Sequence, residues 1–192
     1  MASTAEILLV HHAGLTTAFV QADAGAASAF GGPIGGSLSG ALFGPRRLHQ
    51  VAFVAFADLK SSLSRPFAGL PLIYGLNFDG CDLCYRVSVG EVEIEFITPD
   101  RSSEDWPYEG YPLELPSVPL IAKAARRQEW DDFRQLVPNL HERETADITI
   151  VVPPPANLGF SLWGAAGDAE GATIVFQYSS ASDTVRAFNV CS

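Results

Sequence analysis

The chain carries little charge, and little of it is basic: 18% of its 192 residues are charged, with 12 Lys and Arg against 22 Asp and Glu, a formal charge of −10. Such a surface repels phosphate backbones and anionic headgroups at long range, so neither nucleic acid nor membrane is an expected partner. A basic protein or a cationic ligand is what it would steer in, although acidity also serves solubility alone. Three cysteines, Cys81, Cys84 and Cys191, are too few and odd in number for a secreted-type disulfide framework, so reduced thiols are expected. No apolar run approaches the roughly 20 residues that span a bilayer. The start, Met1 to Glu6, lacks the basic stretch of a secretory signal. A cytoplasmic protein is the simplest expectation.

Linear motifs of catalysis are missing as well. Gly159-Phe160-Ser161-Leu162-Trp163-Gly164 places its last glycine one position too late for a nucleophile elbow. Neither a phosphate-binding Gly-x-x-x-x-Gly-Lys-Ser/Thr loop nor a dinucleotide Gly-x-Gly-x-x-Gly fingerprint occurs. Cys81-Asp82-Leu83-Cys84 has the Cys-x-x-Cys form but runs into strand-like alternation, where positions i and i+3 point to opposite faces and cannot share a metal. His11 and His12 are adjacent, so on a strand they too face opposite ways and cannot chelate together. His49 and His141 read as surface positions beside Arg46, Arg47 and Arg143. No cofactor or metal is implied, and no catalytic residue is assigned.

What the chain does have is apolar content, 47% of its residues, enough at this length to fill one core, so a single domain over 1–192 is expected. Residues 13–44, rich in Gly and Ala, read as loop with one short helix. Val51 to Leu59 and Leu70 to Phe78 read as strands, the first buried on both faces. Gly90-Glu91 separates two alternating runs between Leu83 and Thr98 and predicts a type II′ hairpin. That register pairs Val87 with Ile94, Tyr85 with Phe96 and Arg86 with Glu95. Five prolines, at 99, 107, 112, 116 and 119, predict a long loop that excludes helix and central strand. Trp130, Phe133 and Leu136 or Val137 fall at helical spacing, with Asp131 and Asp132 on the other side, so one amphipathic helix is expected around 124–137. Asp147 to Val152 reads as a strand ended by Pro153 to Pro155, and Ala172 to Tyr178 with Thr184 to Val190 as a closing hairpin. The expected fold class is therefore α+β: a mainly antiparallel mixed sheet with one principal helix and a long proline-rich loop.

The most unusual segment is Asp105-Trp106-Pro107-Tyr108-Glu109-Gly110-Tyr111-Pro112, in which prolines limit the entropy that aromatics would lose on binding. Trp106, Tyr108, Glu109 and Tyr111 are the leading candidates for a binding surface; the competing reading is that these aromatics fold back over the core. Asp79, Trp163 and Asp168 join them. Asp79 with Asp82 and Asp168 with Glu170 could also split acid and base roles if buried unequally, yet their Gly, Ser and Ala neighbours favour ordinary turn carboxylates. The expected function is a binding domain, in the form of an acidic inhibitor or adaptor of a basic protein partner. The alternative is an enzyme or small-molecule receptor whose site has no linear motif.

Overall fold

The computed structural model describes residues 5–40, 48–59, 63–76, 81–98, 114–137, 140, 146–153 and 172–191. Thirteen strands cover most of them: β1 Glu6–His12, β2 Leu15–Gln21, β3 Ser28–Phe30, β4 Ser37–Gly40, β5 His49–Ala55, β6 Gly69–Tyr74 and β7 Asp82–Ser88. The remainder are β8 Glu91–Thr98, β9 Val118–Ala122, β10 Arg126–Arg127, β11 Ile148–Val152, β12 Ala172–Ser179 and β13 Thr184–Cys191. They form one sheet in the order β4-β8-β7-β13-β12-β11-β1-β2-β9-β3-β5-β6, with β10 beside β2. All pairs are antiparallel except β4 with β8.

The α+β expectation is thus corrected to a β fold. Helix is confined to α1, Trp130–Arg134, and one 3-10 turn, Phe56–Leu59, among the described residues. Five residues are too few to stand as a helix without packing. The predicted face of α1 is nonetheless the observed one, with Phe133 and Val137 buried and Asp131 and Asp132 exposed.

The sheet rolls up on itself. Its inward face holds a row running Ile148, Tyr178, Val185, Tyr85, Ile94 across five strands. A second inward row runs Val10, Ile150, Phe176, Ala187, Leu83, Ile97. All of these are buried in one continuous core, each large side chain contributing roughly 1.5–3 kcal/mol.

The last strand, β6, is buried at every position although, among the described residues, no strand pairs with its outer edge. Side chains close this seam instead. Tyr85 of β7 accepts the Ile73 N–H at 3.0 Å and donates to the Pro71 carbonyl at 2.7 Å, the two groups a neighbouring strand would have engaged. Pro71 occupies an outward position where its missing N–H leaves no orphan donor. Nearby, the Tyr74 hydroxyl accepts the Cys81 N–H at 3.0 Å and lies 3.0 Å from Asn189 Oδ1, tying β6 to the start of β7 and to β13. Gly69 opens β6 because a Cβ there would sit 2.3 Å from the Val54 carbonyl oxygen.

Several expectations need local correction. The 13–44 stretch contains β2, β3 and β4, since Leu15-Thr16-Thr17-Ala18-Phe19-Val20 is β-branched and aromatic despite its Gly- and Ala-rich surroundings. Pro119 lies in β9, inside the sheet; its carbonyl accepts the Ala22 N–H at 2.9 Å, just past the end of β2, so its missing donor interrupts no ladder. His49 is buried in β5. The hairpin turns at Val89-Gly90 and not at Gly90-Glu91, with Gly90 at φ +73° in the second central position, as a type II turn needs. The expected register is overturned, and Val87 pairs with Val92, Tyr85 with Ile94 and Arg86 with Glu93. A bulge then sets Glu95 and Phe96 together opposite Cys84 and turns Phe96 outward to 40% exposure. Arg86 and Glu95 still share a face and form an ion pair.

Tyr85→Phe removes one hydroxyl and strands two buried backbone groups. We expect it to lower unfolding free energy by about 2–4 kcal/mol, read from urea denaturation; a loss under about 0.5 kcal/mol would mean that water or a shifted strand replaces the hydroxyl.

Candidate functional site

Trp106, Tyr108, Glu109, Tyr111, Asp79, Trp163 and Asp168 all lie outside the described residues. His141 and the helix end at Pro138 do so too. Of the cysteines, Cys81 is in the inner core and Cys84 on the outer face, as the strand alternation requires, and the two are not joined in a disulfide. Burial and the adjacent Glu95 carboxylate push the Cys84 thiol up to about 11, which makes it a poor nucleophile. Among the described residues no three His, Cys, Asp or Glu side chains are grouped to hold a metal.

Three other places gather polar groups. The first joins Arg65 to the β12–β13 turn. Its Nε–H reaches the Tyr178 hydroxyl at 3.1 Å and Asp183 Oδ1 at 3.2 Å, and its Nη2 reaches the Ser180 carbonyl. Tyr178 donates to Asp183 at 2.6 Å, and the Ser180 N–H donates to Asp147 Oδ2 at 2.6 Å. Burial first and the Asp183 bond second raise Tyr178 to about 12. This network engages its own donors and acceptors and acts as a clasp between distant loops.

The second place is the open end of the sheet. β4 is the outermost strand there, and among the described residues nothing pairs with its far side. Ser37 donates its N–H to the Gly90 carbonyl at 2.9 Å, so by backbone alternation the N–H and C=O of Leu38 point away from the sheet. The four residues Ser37-Leu38-Ser39-Gly40 include no proline, lysine or inward charge of the kind that guards natural edges. Beside them β8 presents Glu91, Glu93 and Glu95 on its exposed face; Ser39 donates to Glu91 at 2.7 Å, and Arg86 bridges the other two. A crevice of about 170 Å³ lies between the β7–β8 turn and the start of β6, lined by Gly35, Phe53, Phe67, Pro71, Val87 and Val92 among others. That is near the roughly 150 Å³ that holds a benzene and below the usual range for a whole drug-sized ligand.

The third place is the outer face, where the register builds two parallel rows. One is apolar, Ala18, Leu9, Val151, Val175, Phe188, and is roofed by Phe133, Val137 and Leu140. The other is polar, Thr16, His11, Thr149, Gln177, Arg186. The first four of these polar residues are buried. His11 stacks on Phe133 at 4.7 Å and approaches Trp130 at 5.6 Å, and its Nδ1 meets Thr16 Oγ1 at 3.2 Å. Arg186 is held by Asp82 and lies over the Phe188 ring. Both amide atoms of Gln177, the Trp130 indole N–H and Gln128 Oε1 are buried with no hydrogen-bond partner. Each such orphan costs about 1–3 kcal/mol. A polar position repeated on β1, β2, β11 and β12 was readable as His11, Thr16, Thr149 and Gln177 within apolar runs, but only strand pairing lines them up.

Comparison with protein-family models, curated proteins and solved structures finds no match.

Burial, and secondarily the neighbouring His12, lowers the His11 pKa below its usual 6.5. The unfolded chain then takes up the proton first, so this stability is present above pH 6.5 and is lost as pH falls through the folded value. His11→Phe keeps a ring against Phe133 and cannot titrate; the drop in urea midpoint between pH 7.5 and 5 should shrink relative to the parent, and an unchanged drop would place the titration elsewhere.

Proposed function

We propose that this protein is a non-catalytic binding module whose partner is a basic protein presenting an extended segment. The observation that carries the reading is β4, the outermost strand among the described residues, lying beside Glu91, Glu93 and Glu95. Strand addition supplies backbone hydrogen bonds through Leu38, and alternate Lys or Arg side chains of the added segment would meet the glutamates. The chain's charge of −10 steers such a partner in at long range. The crevice at Gly35 and Val92 has the size for one apolar side chain of the same segment. No helix among the described residues is long and apolar enough to cross a membrane. A cytoplasmic setting fits the reduced Cys84 thiol.

A ten-residue peptide of alternating Lys and Thr, titrated calorimetrically, tests this reading. We expect binding at 20 mM salt that weakens several-fold by 200 mM, as exposed charge pairs are screened. Glu93→Gln with Glu95→Gln should weaken it further. Leu38→Pro should abolish it by removing the outward N–H, while Leu38→Ala, which loses only packing, should retain it. A parent chain that ignores the peptide at low salt, or a Leu38→Pro chain that binds as well as the parent, overturns the proposal.

A further inference from the structure

The orphaned polar atoms of the outer face carry an inference independent of the β4 edge. Gln177 is 6% exposed, and both its amide nitrogen and its amide oxygen are out of solvent contact without a partner. The Trp130 indole N–H and Gln128 Oε1 share that condition. Folded chains pair nearly all buried polar groups, and a buried amide with both its donor and its acceptor idle is the mark of a missing partner.

Their placement narrows its chemistry. Gln177 sits two strands from His11 in one cross-strand row, with Thr149 between them. At the ~4.8 Å strand spacing that separation is roughly 10 Å, about the length of one ring bearing one polar group. At the His11 end stand the rings of His11, Phe133 and Trp130. At the other end the Gln177 amide offers a donor and an acceptor side by side, which is self-complementary to another primary amide. None of the unpartnered atoms belongs to an ionised group. The nearest cation in the row, Arg186, is already held by Asp82, so a charged ligand would lose its hydration with no counter-charge.

We propose that this face binds a small, planar, uncharged aromatic carboxamide, its amide paired with Gln177 and its ring against His11 and Trp130, beneath the segment from β10 to α1. The segment would act as the cover: among the described residues β10 is a two-residue strand paired with β2, and α1 is five residues long, so lifting it breaks few backbone bonds, its main cost being the withdrawal of Phe133 and Val137 from the apolar row.

Benzamide is the probe, with benzoate as its charged counterpart, followed on the full chain by amide and indole ¹⁵N NMR. We expect benzamide to shift the Trp130 indole and Gln177 side-chain signals saturably in the millimolar range, and benzoate to leave them unmoved. Gln177→Leu should weaken benzamide at least about tenfold, the loss of one or two hydrogen bonds. Trp130→Phe should weaken it as well and serves should the first variant fail to fold. Benzamide that moves neither signal, equal affinity in Gln177→Leu, equal response to benzoate, or water contacts to the Gln177 amide that benzamide does not displace would each overturn the proposal, the last assigning the site to ordered water only.

Discussion

The structure depends on one hydroxyl. A rolled antiparallel sheet that does not close by backbone pairing has two edges, and an edge buried in a core leaves unpaired N–H and C=O groups out of water. Tyr85 meets that requirement by standing in for a strand, accepting from Ile73 and donating to Pro71. Because Pro71 has no N–H and Gly69 permits close approach to Val54, β6 can lie against the inner face of β7 and β13 without a ladder. Burial holds the Tyr85 phenol well above its ordinary pKa, so it remains a neutral donor and acceptor at any physiological pH.

The two ends of the sheet consequently differ. One is sealed from within by tyrosines, whereas the other ends in β4, short, uncharged and flanked by glutamates. The outer face is divided in a related way: the apolar row is covered by Phe133, Val137 and Leu140, and the polar row beside it retains idle donors and acceptors. Stability is concentrated in the roll, while capacity to bind is concentrated where pairing is incomplete.

Much of the local structure was legible because period-2 alternation and turn residues act over short distances. The β12–β13 hairpin follows the alternation on either side of Ser180 to Asp183, and the buried face of α1 follows Trp130, Phe133 and Val137. The bulge at Glu95 and Phe96 was not legible, since it answers to the sheet's curvature and not to local pattern. Nor was β2, whose strand-forming core is outweighed by neighbouring Gly and Ala. Helical spacing over-extended α1, because β10 draws residues 126–127 into the sheet instead. The seam at Tyr85 and the polar row from Thr16 to Arg186 depend on which strands become neighbours, a long-range property that no window of sequence contains.

Amide hydrogen exchange at Ile73 tests the seam most directly. If the Tyr85 hydroxyl replaces a strand, the Ile73 N–H exchanges near the rate set by global unfolding in the parent chain. In Tyr85→Phe it then becomes selectively faster, while the Leu72 N–H, which faces β5, keeps its protection. Equal protection of Ile73 in both chains, or rapid exchange of Ile73 in the parent, would contradict the account.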